Sequence, residues 1–241
     1  MTTGLYFVIL LVTFLASSVT LLTGFGVGSV LTPMFTLFYD VKTAVFLVSI
    51  VHLANNILKL GLFFRYVEKN ILIRFGLVSV LGALAGSFLQ GSVASEWVKV
   101  ALALFLLVSG ASEFIPKSSS VRIPRRLDFL GGFFSGLMGG LIGNQGAIRS
   151  AYLLNYNLSK EAFIATATSI AILIDLSRIP VYIYQQAEQL RCAAQPLVLI
   201  TGVAFAGTLA GRELLKKISL ERFRKFVSAF LIAFGLFLLF S

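Results

Sequence analysis

Charge is what this sequence has least of. Lys, Arg, Asp and Glu make up 12% of its 241 residues, about half the ~25% of an ordinary soluble domain. So few polar side chains cannot coat a water-facing surface of this size, which excludes a soluble globule. Cysteine is nearly absent too: Cys192 alone allows no internal disulfide and leaves the redox compartment open. Its plain reading is a small buried apolar side chain. One histidine, His52, and one cysteine cannot close a zinc site, so no metal or cofactor is expected. No grouping of nucleophile, base and orienting residue emerges along the chain, and an enzyme is not expected. The longest hydrophilic stretch, 116–126, is too short for a receptor or scaffold domain.

What remains is apolar. Hydrophobic residues make up 58% of the chain and aromatics 13%, with a mean hydropathy of +0.94. Apolar runs lie near 5–22, 42–64, 71–90, 97–114, 128–142, 161–184, 196–211 and 223–240. Most approach the ~20 residues that a helix needs to cross a hydrocarbon core. The expectation is an all-α, polytopic membrane protein whose first partner is the lipid bilayer. The first run has no basic residue before it (Met1-Thr2-Thr3-Gly4) and no clear cleavage site, so it reads as a span rather than a secretory signal. The net charge of +10 is the signature of basic loops on one membrane face, and no nucleic-acid partner is expected.

The chain also repeats itself. A shift of 119 aligns Gly24 with Gly143, Ser49 with Thr168, Asn56 with Asp175, Lys59 with Arg178 and Phe63 with Tyr182. A shift of 125 aligns Gly82-Ala83-Leu84-Ala85-Gly86 with Gly207-Thr208-Leu209-Ala210-Gly211, and Gly110 with Gly235. The change of offset falls between 65–74 and 184–198, read as a loop that tolerates insertion. The expected organisation is a first repeat over 1–114, a basic cytoplasmic linker over 115–127 and a second repeat over 128–241. The two Gly-x-x-x-Gly pairs read as close-packing faces, within the chain or between two copies in a homodimer.

Each half opens with an apolar stretch interrupted by glycine: Gly24-Phe25-Gly26-Val27-Gly28 in one, Gly143-Asn144-Gln145-Gly146 in the other. If each stretch is one span, a half has four crossings and the repeats are parallel. If each is a re-entrant, broken hairpin, a half has three transmembrane helices besides it and the repeats are inverted. Charge favours the second arrangement. Inverted repeats put loops 65–74, 115–127, 155–160 and 212–225 on one side with 14 Lys and Arg, leaving Lys42, Lys99 and Arg191 on the other. By the positive-inside rule the basic side is cytoplasmic, with both termini periplasmic. Inverted repeats around broken helices are a recurrent transporter architecture.

Lys59, Arg149 and Arg178 remain, all within apolar segments where a charge costs about 2.5–3.5 kcal/mol on the translocon scale. Lys59 and Arg178 either snorkel to the interface or face a gated cavity. Arg149 either ties broken-helix carbonyls or faces a ligand. Ser49, His52, Asn56 and Lys59 share one helical face, and Thr168, Ala171, Asp175, Arg178 and Tyr182 share its counterpart. Asp175 should pair with Arg178, as a structural ion pair or as a coupling group. His52 reads either as a packed hydrogen-bonding residue or as a proton carrier.

Helices that begin inside a membrane present free N–H groups and a positive dipole end to an anion. Gly26, Val27, Gly28 and Ser29 would form one such end, beside Gly24. Gln145, Gly146 and Ala147 would form the other, with Asn144, Gln145 and Arg149 completing the site.

The run Gly24-Phe25-Gly26-Val27-Gly28-Ser29-Val30-Leu31-Thr32-Pro33, followed by a long helix and a second glycine break, resembles the TauE/SafE sulfite exporter family. The likeness covers essentially the whole chain. Val27 interrupts the family's usual glycine run, Tyr152 stands where the first half has Pro33, and Arg149 is an added charge. The resemblance implies a bacterial inner-membrane exporter of a small sulfur-containing oxyanion, such as sulfite or a short organosulfonate. Alternating access between the halves would carry it, with His52, Asn56, Lys59, Asp175 and Arg178 gating or coupling, possible proton coupling included. A passive anion channel or an importer of another small anion is the alternative.

Overall fold

A computed structural model of the chain describes residues 3–23, 27–112, 114, 124–214 and 220–240. Gly24, Phe25 and Gly26 of the first glycine motif lie outside them, as do linker positions 115–123, loop positions 215–219 and the side chain of Cys192. The described residues form ten α-helices and no strand. Helices α1 (Thr3–Thr23) and α2 (Val27–Phe35) precede the long α3 (Val41–Phe63). Asp40 caps α3 by accepting the Lys42 N–H at 3.0 Å. One helical turn, α4 (Lys69–Ile71), and a π-helical turn over Leu72–Gly76 lead into α5 (Leu77–Ser92) and α6 (Ser95–Ala111). The second half follows the same plan with α7 (Asp128–Ile142), α8 (Gly146–Leu153), α9 (Lys160–Leu214) and α10 (Leu220–Phe240).

Among the described residues, Val41–Tyr66, Lys69–Ser92 and Lys160–Arg191 are long and apolar enough to cross a bilayer. The protein is therefore a helical membrane protein. One expectation needs correcting: 184–198 is not a loop. The segment assigned as α9 is two helices that meet at a kink there, with non-helical backbone at Gln186 (φ −142, ψ 36) and no irregular loop between them. The stretch Gln185-Gln186-Ala187-Glu188-Gln189-Leu190-Arg191 is made of good helix formers, which keep the chain helical where its polarity suggests a loop. The Thr43 hydroxyl donates to Gln186 Oε1 at 3.2 Å, tying this break to the start of α3.

The halves interlock. Helix α5 packs on α7, α1 on α9, α3 on α9 and α6 on α10. Under the repeat alignment, α5 on α7 and the C-terminal part of α9 on α1 are equivalent contacts, while α3–α9 and α6–α10 each join equivalent helices. That is the contact pattern of a pseudo-twofold. Close approach in the first pair depends on missing Cβ atoms. A Cβ on Gly82 would collide with the Phe133 carbonyl, one on Gly136 with that of Ser79, and one on Gly140 with that of Ala83. The second pair repeats this, with Gly207 against the Phe14 carbonyl and Gly211 against that of Ser18. Both Gly-x-x-x-Gly faces are thus occupied within the chain.

In the second half the broken segment is a hairpin. Gly131, in the first turn of α7, lies against the ring of Tyr152 near the end of α8. Just beyond, the Tyr156 hydroxyl donates to Asp128 at the start of α7. The chain therefore returns to where it entered. In the first half, Ile9 of α1 shares a core cluster with Val27, Leu31 and Phe35 of α2.

These contacts predict that Gly136→Leu lowers the melting temperature of the purified protein sharply, since overpacking here meets backbone rather than a movable side chain and costs about 1–3 kcal/mol or more. Gly202→Ala, which meets nothing within 4 Å, should leave the melting temperature unchanged.

Candidate functional site

The two breaks meet in the interior. Helix α7 ends at Gly143, whose left-handed backbone (φ 75) returns its N–H to the Gly139 carbonyl at 3.1 Å. A helix stopping at this depth must satisfy its last carbonyls from elsewhere. Gly139 O already accepts the Gly143 N–H, and three side chains supply the remaining donors. Arg178 Nη1 donates to Gly139 O and the Tyr182 hydroxyl to Gly140 O. Gln90 Nε2 donates to Leu141 O at 3.0 Å. Across the break, Ser135 Oγ and the Arg149 N–H both reach Gln145 O, at 3.3 and 3.2 Å. From the first half, Ser29 Oγ donates to Asn144 Oδ1 at 2.5 Å. A Cβ on Gly28 would sit 3.3 Å from Gly143 O and 3.7 Å from the His52 ring, so α2 approaches the break as backbone.

Beside this junction lies a charged network joining α3 to α9. Arg178 Nε and Nη2 hold Asp175 Oδ1 at 3.0 and 2.7 Å, the pairing expected from their spacing. The other carboxylate oxygen contacts His52 Nδ1 at 2.7 Å. Asn56 Nδ2 lies 3.1 Å from His52 Nδ1 and 3.2 Å from Nε2. With Asp175 as acceptor at Nδ1, the partners assign the Nδ1–H tautomer, with Nε2 accepting from Asn56. Asp175 and Arg178 are buried, as are His52 and Asn56. Lys59 is buried as well, so neither Lys59 nor Arg178 snorkels outward.

Arg149 is placed differently. It is 5% exposed, Asn144 2% and Gln145 3%. Yet Arg149 Nε and Nη1, Asn144 Nδ2, both polar atoms of the Gln145 side chain and Thr32 Oγ1 have no hydrogen-bond partner among the described residues. Buried polar groups are paired in the great majority of cases, so a cluster of orphaned donors requires an explanation. Arg149 lies close enough to Lys59, His52 and Asp175 for their charges to interact. Among the described residues, Lys59, Arg149 and Arg178 are buried cations in the neighbourhood of the buried Asp175 carboxylate.

The structure brings Gly28, Asn144, Gln145, Gly146, Ala147 and Arg149 to one junction, with Val27 opening α2 beside it; Gly24 and Gly26 lie outside the described residues. Thr32, Ser135, Gln90 and Tyr182 also serve this junction without having been picked out as site residues. Tyr182 lies on the Asp175 stripe, and Thr32 follows Ser29 at i+3, so helical spacing could have flagged both. Gln90 and Ser135 carry no such signal.

Among the described residues, two cavities open toward the ends of the helices. One, of about 690 Å³, lies under the turn after α8, and Glu68, Arg74, Arg125 and Ser159 are among its lining residues. The other, of about 310 Å³, lies under the equivalent turn after α2, beside Asp40, Glu96 and Lys99.

Interrupted helices surround a buried polar centre in this helical membrane protein. The chain belongs to the sulfite exporter TauE/SafE family, whose profile matches residues 9–238. No protein of curated function matches it. Family members are transporters rather than enzymes.

The two clusters should respond oppositely to mutation. Asp175→Asn strands Arg178 and His52 and should cost about 3–5 kcal/mol, the usual penalty for breaking a buried ion pair. Arg149→Gln removes a charge whose Nε and Nη1 have no partner, and without ligand should leave thermal stability unchanged or raised. Thermal unfolding in detergent tests both.

Proposed function

We propose that the protein is a secondary transporter that exports a small sulfur-containing oxyanion, sulfite or a short organosulfonate, across the bacterial inner membrane. The observation that carries this reading is the set of buried donors without partners on Asn144, Gln145 and Arg149. Oxyanion oxygens accept from such groups, and charge-assisted hydrogen bonds are the strong ones. The anion sits at the junction of the two breaks, near the N-termini of α2 and α8, where the helix dipoles favour negative charge. Backbone N–H groups around Gly28 and over Gln145–Ala147 hold further oxygens, and the anion offsets the charge of Arg149, whose Nε and Nη1 have no partner among the described residues.

Transport proceeds by alternating access, the inverted repeats rocking about the site. The inverted arrangement is supported by which loops share a cavity. Residues 68–74, Arg125 and 156–162 line one, while 36–41, 95–99 and 237–238 line the other. A parallel four-span repeat would put 155–160 opposite 65–74, and the C-terminus opposite 36–41. Both termini are then periplasmic and the basic loops cytoplasmic. The His52–Asp175 contact joins the two halves through the chain's only histidine, which makes it the proton-coupling element.

In proteoliposomes, sulfite flux should saturate, and Arg149→Gln should weaken apparent affinity about tenfold or more, a loss of at least about 1.4 kcal/mol. Flux that rises linearly with sulfite, or that ignores Arg149→Gln, would instead indicate a passive pore. For sidedness, Ser159→Cys and Thr36→Cys in a Cys192→Ala background should react with impermeant maleimide from opposite faces. Labelling from the same face would sink the inverted arrangement. His52→Gln should abolish flux driven by a pH gradient while sulfite counterflow persists.

A further inference from the structure

The two cavities differ in a way the central site does not explain. They share one structural origin: the turn after α8 lines the larger, and its repeat equivalent, the turn after α2, lines the smaller. Their charges are opposed. The smaller cavity has Asp40, Glu96 and Lys99 on its wall; Lys99 is neutralised by Glu96 at 3.0 Å, leaving the Asp40 carboxylate. The larger has Arg74 and Arg125 against Glu68, with amide and hydroxyl groups of Asn70, Asn157 and Ser159 around them.

The wall of the larger cavity is built to keep its positive charge available. Asp128, at the start of α7, is buried and accepts a hydrogen bond from the Tyr156 hydroxyl. Burial, and then the Asp128 carboxylate, push the Tyr156 phenol up to about 12. The Arg125 guanidinium lies over the Tyr156 ring, 5.0 Å from its centre, which fixes the cation on the rim. Directly behind this wall, the chain of Tyr156 continues from α8, the helix that carries Arg149.

We propose that this cavity is a second oxyanion site, a loading vestibule in which Arg74 and Arg125 capture the anion on the basic face before it passes to the junction. Planar guanidinium groups suit oxyanions, and a cleft lined by one sign of charge raises local anion concentration and association rate. The acidic wall of the opposite mouth has no such capture site, so loading is fast from one face and release is unopposed at the other. The loading role rests on the reading that the central site carries an anion; the vestibule as a binding site does not.

The test uses the full chain in nanodiscs of neutral phosphatidylcholine, titrated calorimetrically with sulfite. In Arg149→Gln, one weaker site should remain, and its affinity should fall as sodium chloride rises. Adding Arg74→Gln and Arg125→Gln should abolish it, while lysine at both positions should restore much of it. In proteoliposomes the Arg74→Gln/Arg125→Gln variant with Arg149 intact should show KM for sulfite raised about tenfold from the basic face only, with maximal flux unchanged. The vestibule is overturned if Arg149→Gln leaves no residual binding, if residual binding ignores the two arginines, or if KM rises equally from both faces. Displacement by phosphatidylglycerol without sulfite binding would assign the cavity to a lipid headgroup and likewise overturn the proposal. Residual binding that depends on Arg74 and Arg125, with Arg149→Gln leaving the rest of the titration unaltered, would instead uphold the vestibule and defeat the central site.

Discussion

A helix that ends inside a hydrocarbon layer leaves carbonyls with no water to turn to, and the way α7 resolves this organises the rest of the molecule. Arg178 and Tyr182 from α9 and Gln90 from α5 each answer one of its terminal carbonyls, at Gly139, Gly140 and Leu141. Arg178 can serve there only because Asp175 neutralises it, and Asp175 is held in turn by His52 of the other half. One unmet backbone requirement therefore draws α3, α5, α7 and α9 together. The break itself is left free to present Asn144, Gln145 and Arg149 inward.

Close packing makes this possible. The carbonyls of α7 lie within reach of α5 only because Gly82, Gly86, Gly136 and Gly140 let two backbones touch. On the opposite flank, Gly207 and Gly211 bring α9 onto α1 in the same manner. The repeats are thus exchanged against one another, each half supplying the partner for the other's first helix.

Two buried arginines of the second half have different fates. Arg178 is fully engaged in capping and ion pairing. Arg149, with no charged counterpart at the matching position Val30, keeps unpartnered donors. A duplicated scaffold with one degenerate half is a direct route to an asymmetric site, since a charge added to one repeat has no mate to neutralise it.

Much of this was legible in the chain itself. Apolar run length and scarce charge determined a helical membrane protein, and the shifts of 119 and 125 pointed to a repeat. Helical spacing alone put Asp175 beside Arg178, because i and i+3 always share a face. The glycine breaks announced where helices would stop. What spacing could not reveal was everything that depends on residues far apart in sequence: that His52 completes the Asp175 pair across 123 positions, that Gln90 caps α7, and that 184–198 stays helical. Nor could it separate three buried cations by role. Local pattern reports which face of a helix a side chain occupies, but only the packing of one half against the other decides whether a partner waits there. Arg178 found partners, Arg149 at Nε and Nη1 did not, and that difference belongs to the tertiary structure.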